Sequence, residues 1–198
     1  MKTKLFAAIA AAFLITSCDK KDESPAPSSS TDPQNGSTWV YKLTQYNEAG
    51  TATGSVNLTA KGVSVTVNGS TWLNLVDQAT MQPIIGIQKK SDGWWYIPYP
   101  SSSSSLWFKY PATVNETYSY VFGTCVVKSI NASVTVPAGT YNNCYMVEGD
   151  DTNSMEDEFW FTTSGPVLVK FNTYDEKAAG PASNVYKKQS MELVSFQR

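Results

Sequence analysis

Beyond residue 38, no long segment carries apolar residues at helical spacing. β-Branched and aromatic residues recur instead in short runs, with turn residues between them. Val63, Val65 and Val67 share one face of such a run. Asn68-Gly69 follows, a pair suited to the positive φ angles of a tight hairpin turn. Ile84 to Gln88 and Trp94 to Ile97 flank Ser91-Asp92-Gly93, a second hairpin signal, and Asn47 to Gly50 turns the opening run Trp39 to Leu43. Val56 to Leu58, Trp72 to Val76, Leu106 to Tyr110, Thr117 to Val127 and Ala132 to Val136 continue the pattern. Tyr141 to Glu148, Glu158 to Thr162, Val167 to Tyr174 and Met191 to Phe196 complete it. About a dozen short strands with short turns predict an all-β fold, an antiparallel meander forming a sandwich or a half-barrel-like curved sheet.

The N-terminus predicts a different fate for its residues. Lys2 and Lys4 precede an apolar run, Leu5 to Ile15, too short to span a bilayer, so residues 1–17 read as a signal peptide. Leu14-Ile15-Thr16-Ser17-Cys18 resembles the lipobox of bacterial lipoproteins. That resemblance implies cleavage before Cys18, acylation of its thiol and new amine, and a membrane partner held through the lipid. Lys21-Asp22-Glu23 resembles the Lys-acidic-acidic export signal of surface lipoproteins in Bacteroides-type bacteria, and otherwise serves as a charged tether. The expected location is the outer membrane, lipid-anchored, facing the cell surface. Residues 18–37 are rich in Ser, Pro and charge, which predicts a disordered linker. Residues 38–198 then form a single β domain, long enough for its own core.

Removing Lys2 and Lys4 from 15 basic residues leaves 13 against 17 acidic ones, a net charge of −4. That balance argues against nucleic acid as a partner. The chain has no histidine, which excludes Ser-His-Asp and Cys-His nucleophile activation and every His-containing zinc site. No cofactor motif is present, and the expectation is a protein that is not an enzyme. With Cys18 acylated, Cys125 and Cys144 remain as a candidate disulfide in an oxidising compartment, or as two buried thiols in neighbouring strands.

Val134-Thr135-Val136-Pro137-Ala138-Gly139-Thr140-Tyr141 resembles a Val-x-Val-Pro-Ala-Gly-Thr-aromatic pattern found in many lipoproteins of Bacteroides-type bacteria. Gly165-Pro166-Val167-Leu168-Val169-Lys170 and the opening Trp39-Val40-Tyr41 fit the same pattern. Such proteins resemble periplasmic half-barrels that carry lipoproteins, in which a curved antiparallel sheet holds acyl chains. Those carriers plug the concave face with long helices, which this sequence lacks. The Pro-Ala-Gly-Thr stretch itself reads as a turn, because Pro137 ends ladder donation and Gly139 permits a strained φ.

Two clusters are candidates for binding. Gly93 to Pro111 places seven aromatics around five serines. Both faces of the run Trp94 to Ile97 are apolar, so something must cover the second face or part of it is exposed. Rings beside hydroxyls stack on sugars or hold an apolar ligand. Trp94, Trp95, Tyr99 and Trp107 are the candidate contacts, and the competing reading is ordinary core. Trp39, Trp72 and Trp160 read as core. The second cluster is Glu148, Asp150, Asp151, Glu156, Asp157 and Glu158. Its spacing is not that of an EF-hand, so a solvated hairpin tip is favoured over a calcium loop and no metal site is expected. The expected function is a non-catalytic binding protein for a glycan or an apolar ligand. The alternative is an interaction subunit of an envelope complex, its protein partner unknown.

Overall fold

The structure, a computed structural model, describes residues 31–120, 123–150, 156–178 and 185–198. Cys18, the signal peptide and the Lys21-Asp22-Glu23 segment lie outside the described residues. The strands are β1 (Thr38–Tyr46), β2 (Ala52–Val67), β3 (Ser70–Asp77), β4 (Pro83–Lys90), β5 (Gly93–Pro98) and β6 (Ser105–Lys109). They continue as β7 (Thr117–Tyr120), β8 (Gly123–Val136), β9 (Gly139–Asp150), β10 (Glu156–Phe161), β11 (Leu168–Glu176) and β12 (Val185–Gln197). All twelve belong to one antiparallel sheet in the order β6-β5-β4-β3-β2-β1-β12-β11-β10-β9-β8-β7. The sheet therefore runs outward from a β1–β12 pair to two edges, β6 and β7, which are consecutive in the chain. It curls until those edges meet, a nearly closed barrel-like curve. The Tyr118 hydroxyl donates to the Trp107 carbonyl at 3.1 Å across the seam.

The all-β antiparallel expectation holds, as one curled sheet of twelve strands. Two strand divisions differ. Val56–Leu58 and Val63–Val67 lie on a single strand, β2, whose first half pairs with β1 and second half with β3. Thr117–Val127 breaks into β7 and the start of β8, and β8 runs on through Val136. Asn68 and Gly69 take φ values of 49° and 80°, as the hairpin reading requires. Gly93 has φ 143°, and a Cβ there would lie 2.1 Å from the Phe108 carbonyl oxygen, so only glycine lets the start of β5 pair with the end of β6.

Strand alternation sends one set of side chains inward. Leu73, Ile87, Trp94, Tyr96, Phe108, Tyr118, Val127, Val147, Phe159 and Phe161 form the body of the core. Opposite walls meet through rings. Phe108 of β6 stacks on Phe161 of β10 at 4.8 Å, and Tyr96 of β5 stacks on Tyr120 of β7 at 5.7 Å. Register shifts along β8 between Val127 and Val134 bend the β8–β9 hairpin. Its tip is the Val-x-Val-Pro-Ala-Gly segment, which folds over one end of the barrel. Val134 and Val136 are buried, and the Ala138 amide donates to the Leu193 carbonyl at 3.0 Å. The motif is thus a cap built from a turn.

Residues 31–37 close the same end, and here the linker expectation is corrected. The Gly36 amide donates to Gly62 O, and Gly165 N donates to Thr31 O. Ser37 and Asp32 are buried. The Asp32 carboxylate meets Lys89 Nζ at 3.0 Å. A carboxylate and a hydroxyl that read as solvated tether are consumed by buried partners, so the fold includes residues 31–37 as well as those from 38 on. Among the described residues, the inner face is most exposed toward the opposite end. Val56 is 65% exposed there, beside half-buried Leu43, Phe171 and Met191.

Candidate functional site

The four aromatics expected to form one surface divide between two faces. Trp94 points inward and is buried, with the Lys89 ammonium 5.7 Å from its ring centroid and its Nε1 without a hydrogen-bond partner. Trp107 is half-buried and packs edge-on against Phe161 at 5.3 Å and beside Tyr96 at 6.0 Å. Trp94 belongs to the core and Trp107 packs against it, so the structure does not bring them together with Trp95 and Tyr99 on one face. Trp95 and Tyr99 lie outside. The reason is the pleat: Gln88 pairs with Trp95 and Gly86 with Ile97 on the outer face, while Ile87 pairs with Tyr96 and Lys89 with Trp94 on the inner one.

The outer face of β2 to β5 carries a second, smaller apolar layer. Trp72 and Ile97 are buried although they point away from the barrel interior. The serine loop covers them. Ser102 and Ser104 line a recess of about 80 Å³ together with Trp72, Gln88, Lys90 and Ile97, closed at one side by the β2–β3 turn. Asn74 is buried in this layer, its Nδ2 donating to the Tyr99 hydroxyl at 3.4 Å. Gly86 leaves space for it, since a Cβ there would meet Asn74 Oδ1 at 2.8 Å. Both faces of the run Trp94 to Ile97 are apolar because both are covered, one by the barrel core and one by the serine loop. Trp72 was expected in the core, and it is buried in this outer layer instead.

The polar groups of the recess are held in place. Gln88, a lining residue, is held by its Nε2, which donates to the Thr71 carbonyl at 2.9 Å. The Lys90 ammonium sits 4.2 Å from the Trp95 ring centroid and 5.8 Å from that of Trp72. Trp95 is fixed from the other side, its Nε1 donating to Asp92 Oδ1 at 2.7 Å. Within the serine loop, Ser101 N donates to Pro98 O at 2.8 Å and Ser103 N to Ser101 Oγ at 3.0 Å. Sequence reasoning missed Lys90, Gln88 and Trp72 as site residues. The signal that could have found them is parity, because all three fall on the same face as Trp95 once the two hairpins are registered.

Cys125 and Cys144 are free and buried, which overturns the disulfide. Cys125 pairs with Gly149 and Cys144 with Ala132, so the two sit five ladder positions apart, about 16 Å at 3.3 Å per residue. A disulfide needs Cα atoms within about 7 Å. Burial pushes each thiol up to about 11, so neither is a thiolate nucleophile at neutral pH. Burial likewise holds the Tyr96, Tyr118 and Tyr120 hydroxyls above the usual phenol range. Thiol reagent on the unfolded, unreduced chain should therefore count two domain thiols, and a native chain should hide both. A count of none from Cys125 and Cys144 would restore the bridge.

Among the described residues, the acidic side chains of the second cluster are taken up by protein partners. Glu148 Oε2 pairs with Lys128 Nζ at 2.7 Å, and Glu158 Oε2 accepts from Asn172 Nδ2 at 2.8 Å and from the Tyr174 hydroxyl at 2.6 Å. Asp157 accepts from the Tyr174 amide at 3.3 Å. Asp151 and the side chains of Asp150 and Glu156 lie outside the described residues. Among those described, no three metal-ligating side chains come together. Trp160, expected in the core, is half-buried and packs against it, with Lys170 5.7 Å from its ring centroid. No protein-family model matches this chain, and a search of curated proteins finds no match either.

Proposed function

We propose that this chain is a non-catalytic, glycan-binding lipoprotein of the outer membrane, anchored through Cys18 and displayed at the cell surface. The observation that carries the reading is the outer recess, where an indole wall meets hydroxyls, an amide and an ammonium. A sugar ring offers an apolar C–H face for an indole and hydroxyls on its rim for polar partners, and this recess supplies both kinds of contact. Its volume suits the edge of one sugar ring, with the rest of the glycan lying along Trp95 and Tyr99. The missing histidine and the protonated thiols support a binding role over catalysis. The lipobox and the Val-x-Val-Pro-Ala-Gly-Thr motif support the assignment to lipoproteins of Bacteroides-type bacteria.

An apolar ligand is the second reading, favoured by the exposure of Val56 at the open end of the inner face. A glycan array probed with the full chain separates the two. Binding to defined oligosaccharides, weakened about tenfold by Trp95→Ala with folding retained, is the expected result. No glycan bound by the wild-type chain, or Trp95→Ala binding unchanged, overturns the proposal.

A further inference from the structure

We infer that the outer recess selects sugars that carry a carboxylate, with Lys90 as the residue that reads the charge. This rests on the glycan-binding reading and narrows it to uronic or similarly acidic sugars. Among the described residues, Lys90 is the sole ionisable one lining the recess; the rest of its wall is indole, aliphatic, hydroxyl and amide. No described carboxylate lies within ion-pair range of its ammonium. The nearest acid in sequence, Asp92, accepts instead from Trp95 Nε1 at 2.7 Å. The ammonium is instead placed by rings, over Trp95 at 4.2 Å and within reach of Trp72.

That placement has a chemical consequence. A ring orients a cation without neutralising it, so the positive charge stays available to an incoming anion. A neutral sugar would leave the ammonium uncompensated beside the recess. A carboxylate on the sugar ring would accept from it in a charge-assisted hydrogen bond. Ser102 and Ser104 on the facing loop and the Gln88 amide then meet the ring hydroxyls. No acid lines the recess to repel such a ligand, even though the mature chain is acidic overall.

The test is calorimetric titration of the full chain in detergent with an oligogalacturonate and with the same oligomer after its carboxyls are reduced to alcohols. The expected result is binding of the acidic form, weakened about fivefold or more by reduction and by higher salt. Lys90→Gln should lose that preference, and Lys90→Arg should keep it. Repeating the pair with glucuronate-containing hyaluronan oligomers allows for a different ring stereochemistry. Equal affinity for acidic and reduced oligomers overturns this inference and leaves glycan binding standing. Binding of neither form, nor of any neutral oligosaccharide on the array, removes the glycan-binding reading itself. A preference that survives Lys90→Gln would overturn the role of Lys90.

Discussion

Phe161→Ala is expected to destabilise the domain by about 3 to 5 kcal/mol, the range for an aromatic ring removed from a packed core. Phe161 is 1% exposed. Its ring stacks on Phe108 at 4.8 Å with only 4° between the planes, lies 5.7 Å from Phe159, and receives the edge of Trp107 at 5.3 Å. These rings come from β6 on one side of the curl and β10 on the other. Phe161 therefore bonds opposite walls as well as filling space, and its loss leaves a cavity that neither wall can collapse into alone. Denaturant unfolding checks the value. A loss below about 1 kcal/mol would mean that the walls do not meet through this ring. Trp95→Ala, on the outer layer, should cost much less, because its ring is half solvated.

Asp32→Asn should cost about 3 kcal/mol. The carboxylate side chain is 3% exposed and receives Lys89 Nζ at 3.0 Å and 3.2 Å, while the Asp32 carbonyl accepts from Arg198 Nε at 3.0 Å. The amide oxygen left at position 32 can still accept a hydrogen bond, but the Lys89 ammonium, beside the indole of Trp94 and the Thr163 carbonyl at 3.4 Å, loses its countercharge. Breaking one half of a buried pair costs about 3 to 5 kcal/mol. The lower end applies here because the Lys89 side chain is 19% exposed and keeps some water. Pairing Asp32→Asn with Lys89→Met should restore much of the loss, since the orphaned charge is then gone. If the single variant melts as the parent does, residues 31–37 are a tether and not part of the fold.

The strand content, the hairpin at Asn68-Gly69 and the buried valines of the Val-x-Val-Pro-Ala-Gly cap are legible in the sequence, because each rests on local alternation or local turn chemistry. The inward set of the aromatic hairpin is legible in part. Parity separates Trp94 and Tyr96 from Trp95 and Ile97, but it does not say which pair faces the barrel. That choice is made by distant strands, through rings such as Phe161 and Tyr120. Residues 31–37 misled for the same reason. A Ser- and Pro-containing stretch has the composition of a tether, and what folds it is Lys89 on β4, Gly62 on β2 and Arg198 at the far terminus. The cysteine pair misled because two thiols in neighbouring strands look bridgeable until the register places them about 16 Å apart. Lys90 was invisible as a site residue because a lysine at a hairpin end usually means solvent. Only the fold sets it above Trp95 and beside the serine loop.

Whether ligand binds on the outer recess is the central matter, and hydrogen exchange of the full chain with and without a bound oligosaccharide addresses it most directly. Protection confined to Ser70–Trp72, Gln88–Lys90 and Tyr99–Ser104 is the result expected here. Protection at Leu43, Val56, Phe171 and Met191 instead would place the ligand in the open end of the barrel and contradict the account.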